Sequence, residues 1–219
     1  MTSDQDNLLR RYAQDLINSP LHLTSVGDQQ IFWKRHVQDA IQLNAIVSVI
    51  SQKTGTRVID VGSGNGIPGL PLAILNPEWV VKLLDSDNKK CSFLDTFCKN
   101  NTIKNCEIIV GRAETEGHSS LRQAFDIAFA RALGKLPTAL ELSGPFLRLG
   151  GLLIVPHGTS WHDELRRSDN ALRNIGLEFI GDNPYSLDGP QFHALAFRKI
   201  KETPPIYPRR VGVPTKRPL

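Results

Sequence analysis

Four glycines, at positions 62, 64, 66 and 69, crowd the segment VIDVGSGNGIPGLPLAI (58–74), between an apolar β-branched run and an apolar helical run. Glycine reaches positive φ without strain and has no Cβ to hold a ligand away from the backbone. The helix that follows presents unpaired N–H groups at its start, and Pro68 fits its first turn because the missing donor costs little there. A strand, a glycine loop and a helix in this order confine the chain to an α/β fold whose ligand meets bare backbone. GNGIPG satisfies the dinucleotide pattern G-x-G-x-x-G, which alone is weak. Asp60, two residues before Gly62, repels a pyrophosphate; a carboxylate there binds an ammonium group or holds the loop.

Beyond Thr54 short β-branched runs alternate with helical patterns. The runs are RVIDV (57–61), VVKLLD (80–85), CEIIVG (106–111), FDIAFAR (125–131) and GLLIVP (151–156). Helices are expected over 69–75, 89–100, 136–147 and 161–175. LEFIGD (177–182) and FHALAFRKI (192–200) follow with no helix between them. Five βα units and a hairpin make a Rossmann-like, mostly parallel seven-stranded sheet with an antiparallel strand near its edge. Leu8, Leu9, Tyr12 and Leu16, then the stretch 31–50 with Asp28 as its N-cap, place helices before it. Three segments result: an N-terminal helical cap (1–53), a ligand-binding domain (54–200) and a basic, Pro-rich tail (201–219).

Ligands on such sheets sit beyond the carboxyl ends of the strands. Asp85 ends the second strand, where a carboxylate accepts both hydroxyls of a ribose; capping the next helix is its bland alternative, although Ser86 or Asp87 serves as well. Ala113 and Glu114 follow the third strand, where a flat base would rest. Arg131 follows the fourth and seeks a carboxylate or a phosphate.

Charge and composition narrow the class further. The net charge is +4, yet the stretch 198–219 holds seven basic residues and only Glu202 against them. A basic tail on a slightly acidic body suggests a polyanionic partner. Apolar residues make up 40% of the chain, and no apolar run is long enough to span a bilayer. Residues 1–16 have no apolar core, so they are no secretory signal. Cys91, Cys98 and Cys106 match neither a zinc knuckle nor a redox pair and read as reduced thiols of a cytoplasmic protein. No metal site is expected.

The D-x-G-x-G-x-G arrangement at Asp60–Gly66 resembles the first motif of S-adenosylmethionine-dependent methyltransferases. A longer, ordered set of segments is similar to the bacterial 16S rRNA guanine-N7 methyltransferases, also called glucose-inhibited division protein B. It comprises LHLTSV (21–26), RHVQDA (35–40), DVGSGNGIPGLPLAI (60–74), LLDSDNKKCSFL (83–94), RAE (112–114), FARAL (129–133), LRLGGLLIVPHG (147–158) and YPRRVGVPTKRPL (207–219). The resemblance implies S-adenosylmethionine as cofactor, with contacts at Gly62, Ile67, Asp85, Ala113, Glu114 and Arg131, while Gly64 and Gly66 shape the loop. It implies methyl transfer to N7 of one guanosine in 16S rRNA, naked or in the small ribosomal subunit. The chain departs from the family pattern at His22, Ala40 and Pro156-His157, the last replacing a lysine that would lie near RNA.

N7 of guanine carries an in-plane lone pair and no proton, so no general base is expected. Arg209, Arg210, Lys216 and Arg217, with Lys199 and Lys201, are expected on RNA phosphates, with Tyr207 stacking on a base or anchoring the tail. His36 and Asp39 share a helical face. The simpler reading makes them an intrahelical pair packing the N-terminal helices; the functional one puts them on the pocket rim. A monomer is expected. The alternatives are a non-catalytic, RNA-binding assembly factor, against which the intact Asp60 and Asp85 speak, and an NAD-dependent oxidoreductase, disfavoured by Asp60.

Overall fold

The computed structural model describes residues 1–50 and 55–219; residues 51–54, where the expected boundary between cap and sheet domain falls, lie outside the described residues, as does the side chain of Ile50. The apolar runs become β1 (Arg57–Val61), β2 (Val80–Asp85), β3 (Cys106–Val110), β4 (Phe125–Phe129), β5 (Leu147–His157), β6 (Leu177–Ser186) and β7 (Gln191–Lys199). They join one sheet in the order β3-β2-β1-β4-β5-β7-β6. The first five strands run parallel, and β7 lies antiparallel between β5 and β6. The chain moves outward from β1 to β2 and β3, then returns to β4 on the other side. The loops leaving β1 and β4 therefore part to opposite faces and open a crevice between them.

Side chains alternate across the sheet, so each strand feeds two cores. Val58 joins one apolar cluster, with Leu94 and Phe97 of α5 (Asn88–Asn100) and Leu72 of α4 (Gly69–Leu75). Ile59 and Val61 join the other, with Leu136 and Leu140 of α7 (Leu136–Ser143) and Ile175 of α9 (Asp169–Ile175). The helix expected over 161–175 is broken into α8 (Trp161–Arg166) and α9. Buried Ser168 turns its hydroxyl back to Glu164 O at 2.7 Å, offering the chain a local alternative to the helical ladder.

The N-terminal helices belong to the first core. α1 (Ser3–Ile17) starts at a Thr2–Gln5 capping box and buries Leu9, Tyr12, Ala13 and Leu16. Gln5 Nε2 donates to Ile74 O and Leu75 O at 3.0 and 3.1 Å, satisfying carbonyls at the end of α4. Asp28 caps α2 (Gln29–Phe32), its carboxylate taking Ile31 N–H at 2.8 Å. One π-helical turn, Trp33–Val37, leads into α3 (Gln38–Ile50). Such wide turns cost hydrogen-bond geometry and mark functional segments.

The tail is folded onto the domain rather than extended. Arg122 donates to Gly117 O, Tyr207 O and Thr203 O at 2.8, 2.8 and 2.6 Å. Tyr207 packs against the second core, the anchoring alternative of the two considered. Arg209 corrects the expectation that it meets RNA: Nε and Nη2 bind Glu141 Oε1 and Oε2 at 2.8 and 2.6 Å. Glu141, on α7, is fully buried, so its charge requires this partner. Lys199 is corrected likewise; β7 points it inward, where Nζ donates to Ile175 O and Thr203 Oγ1. Burial and the Arg122 charge lower its pKa to about 7. Arg210, Lys216, Arg217 and Lys201 remain exposed and form no ion pair among the described residues.

Removing one partner of a buried ion pair costs about 3–5 kcal/mol. Arg209→Ala is expected to lower the unfolding free energy by about 3 kcal/mol in urea titration, whereas Arg210→Ala changes it by less than about 0.5 kcal/mol.

Candidate active site

At the carboxyl end of β1 the chain turns through Gly62, Gly64 and Gly66 at φ +69°, +55° and +89°. Gly62 holds a positive φ that strains other residues, and without a Cβ it leaves room for the tip of Leu133 from the loop after β4. Gly62 N–H and Ser63 N–H both donate to Leu84 O, at 2.8 and 3.0 Å, binding the loop to the end of β2. Tyr12 OH donates to Asn65 O, so α1 holds the loop from outside.

Two carboxylates pin the loop, and burial separates their roles. Asp60 lies fully buried beneath it and accepts Gly69 N–H with Oδ2 at 2.9 Å. Desolvation pushes its pKa up to about 7. Of the two roles weighed for it, holding the loop is the one this geometry supports. Asp85, half-buried, accepts Gly64 N–H at 2.7 Å with one oxygen and Asp87 N–H at 2.8 Å with the other. The helix-capping alternative falls to Asp87, whose carboxylate takes Lys89 N–H and Lys90 N–H at the start of α5.

Loop, strand ends and the π turn enclose a cavity of about 440 Å³. Gly62, Gly64, Ile67, Asp85, Ala113, Glu114 and Arg131 line it, which brings together most of the residues singled out from sequence. Gly66 is turned away and packs against Leu94 and Leu70. Glu114, on α6 (Ala113–Glu116), also braces the tail, since its Oε1 accepts Gly212 N–H at 2.9 Å and Arg112 Nη2 at 3.1 Å. Through that contact α10 (Val213–Lys216) brings Thr215 into the cavity wall, which sequence reasoning missed. Ser63 and Asn65 were missed too, although they lie between the glycines that were noticed.

Arg131 and the His36–Asp39 pair form one network instead of separate features. Arg131 Nε meets Asp39 Oδ2 at 2.9 Å, and its Nη2 meets His36 Nδ1 at 2.8 Å. Asp39 Oδ1 accepts Tyr185 OH at 2.6 Å. The intrahelical pair expected from their spacing is replaced by this cross-link between α3, the π turn, β4 and β6. Tyr185 carried no signal in the sequence because β6 runs four residues past the expected end. Ala132 follows Arg131 at φ +54°, a sparsely populated conformation that directs both Arg131 and Leu133 to the cavity.

A guanidinium only donates, so His36 Nδ1 is an acceptor and its proton sits on Nε2. Burial, then the Arg131 and Arg35 charges, push its pKa down from 6.5 to about 4. Folded His36 is neutral where the unfolded residue is protonated, so stability falls as pH drops from 6.5 towards 4. His36→Gln is expected to lose less stability than the unsubstituted protein between pH 7 and pH 5, read from urea midpoints at both values.

The polar end of the cavity fits a zwitterionic ligand. Ser63 Oγ, Asn65 Oδ1 and Asp60 Oδ1 are buried without a hydrogen-bond partner among the described residues. Ser63 and Asn65 line the cavity and suit the polar end of such a ligand, whereas Asp60 lies beneath the loop and outside the cavity wall, against the expectation that it contacts the cofactor.

Comparison with known proteins gives a family and a fold. Residues 5–178 match the family model GidB, described as rRNA small subunit methyltransferase G. The chain is 35% identical over 219 residues to the ribosomal RNA small subunit methyltransferase G of Fervidobacterium nodosum, covering 99% of each. It is 38% identical over 203 residues to that of Syntrophomonas wolfei, covering 92% of this chain and 93% of the relative. Among solved structures, M. jannaschii TYW2 in complex with AdoMet superposes with a TM-score of 0.58 at 17% identity, covering 74% of this chain and 77% of the other. That last likeness concerns the fold.

Proposed function

Because the chain belongs to the GidB family of small-subunit rRNA methyltransferases, we propose that it methylates N7 of one guanosine in a loop of 16S rRNA. It is an enzyme of the S-adenosylmethionine-dependent kind, and the cofactor supplies a methyl group made electrophilic by a sulfonium. The observation that carries the reading is the glycine loop pinned to Asp85 at 2.7 Å, beside Ser63 Oγ and Asn65 Oδ1, which have no hydrogen-bond partner among the described residues.

Asp85 would hold the ribose; both its oxygens are already oriented by backbone N–H groups and each keeps a lone pair for a hydroxyl. Ser63 and Asn65 would meet the amino-acid end, and Ala113 the flat face of the adenine. The N7 lone pair forms the new bond while the carbon–sulfur pair returns to sulfur, and no proton moves. The chain therefore supplies position rather than a base, an effect worth up to about 7–11 kcal/mol. Consistent with that, His36 Nδ1 already accepts from Arg131. The target guanosine must be unpaired or flipped for N7 to reach the cavity.

Arg210, Lys216 and Arg217 are exposed tail cations available for RNA phosphates, whereas Lys201 sits against Gly176, near the amino end of β6. The same reading has the protein working as a monomer in the cytoplasm, on the small subunit or its rRNA. Among the described residues no helix is long and apolar enough to cross a membrane, and no cluster of His, Cys, Asp or Glu is suited to a metal.

A tritium-labelled methyl donor incubated with unmodified small subunits should label 16S rRNA at a single guanine N7, mapped by cleavage at the methylated base; label elsewhere or none overturns the assignment. Replacing Arg210, Lys216 and Arg217 together by Ala should reduce the slope of log affinity against log salt by about 2, with cofactor affinity unchanged.

A further inference from the structure

A second cavity, of about 840 Å³, opens beside the first. The two share His36, Arg131, Ala132 and Leu133, so they meet along one seam at the carboxyl end of β4. Leu136 and Val155 give it an apolar wall, as do Tyr185 and Phe192, whose rings stack at 5.8 Å and 27°, while Arg35, His157 and the Lys34–Asp188 ion pair also line it. Its size and shape suit a purine nucleotide.

The polar groups at the seam are committed to one another, with one exception. Arg131 binds Asp39 and His36, and Asp39 binds Tyr185. His36 has its Nδ1 occupied by Arg131 and its proton on Nε2, which makes no hydrogen bond among the described residues. Phe32 packs on the imidazole at 4.8 Å and holds the ring in place. An oriented, neutral donor thus stands where the two cavities join.

Guanine and adenine differ along the edge that carries N7. Guanine places the acceptor O6 beside N7, whereas adenine places an amino donor there. A donor at the seam satisfies O6 and leaves the N7 lone pair free to face the first cavity; against adenine it meets another donor.

We propose that the second cavity receives the acceptor base and that His36 Nε2–H donates to guanine O6, selecting guanine and setting N7 at the seam. The assignment rests on the methyl-transfer reading above and adds the base-recognising residue to it. Arg131 and, through Asp39, Tyr185 act as positioning residues that fix the imidazole tautomer. The low pKa of His36, about 4, suits this role, since a cation there would oppose the positive charge that the purine acquires.

The test uses the full-length enzyme and small subunits reconstituted with 16S rRNA whose methylated nucleotide is guanosine, inosine (O6 kept, the 2-amino group lost) or 2-aminopurine ribonucleoside (O6 lost, N7 kept). The wild type is expected to methylate inosine within about threefold of guanosine and 2-aminopurine roughly 10–100-fold more slowly, as for a recognition donor left unpaired. His36→Phe should slow guanosine by a similar factor and show no further loss on 2-aminopurine. His36→Gln, which keeps an N–H near the Nε2 position, should recover much of the discrimination. Cofactor affinity by calorimetry should stay within about threefold in both variants. Equal wild-type rates on guanosine and 2-aminopurine, or full discrimination persisting in His36→Phe, overturn the O6 contact while leaving the methyltransferase reading intact. A wild type that methylates no guanine N7 overturns both.

Discussion

The ion pair between Arg131 and Asp39 is the contact on which the rest of the site depends. Asp39 is 4% exposed, and burial raises its pKa even with the guanidinium at 2.9 Å, so its carboxylate depends on this partner. The pair joins the helix after the π turn to the end of β4. It thereby fixes how the N-terminal helices lie over the sheet. Arg131 also lies on the seam that the two cavities share.

Much of the fold was legible because its cause is local. Strands inside a sheet covered by helices must be runs of apolar residues, and RVIDV, VVKLLD, FDIAFAR and GLLIVP are such runs at strand length; CEIIVG keeps the same texture although β3 is a half-exposed edge strand. The glycine loop was legible for the same reason, since only glycine meets its backbone needs. Where side-chain and helix-forming tendencies compete, the pattern misleads. Leu165, Ala171 and Leu172 continue a helical stripe through 161–175, and nothing in that stripe shows that Ser168 will be buried and turned back on the chain.

The site was legible residue by residue but not as an assembly. Asp60 pairs in register with Leu83, two residues before Asp85, and that step separates a carboxylate buried as a brace from one left as an open acceptor at the strand end. Arg209 and Arg210 are neighbours of one type, yet Glu141, 68 residues earlier, claims the first and leaves the second in water. A buried glutamate within an apolar helix was the available clue. The contacts Tyr12–Asn65, Tyr185–Asp39 and Glu114–Gly212 join segments distant in the chain, and spacing carries no information about them.

Thr215 in the wall of the smaller cavity has a consequence for how occupancy and folding are linked. That wall is assembled from the π turn, the loops after β1 to β4 and α10, elements drawn from almost the whole length of the chain. A molecule bound there touches each of them at once. Its binding free energy is therefore felt by the native state as a whole, raising the cost of partial opening wherever it begins. The crevice doubles as a keystone: saturating it opposes the routes by which the elements of its wall would peel away.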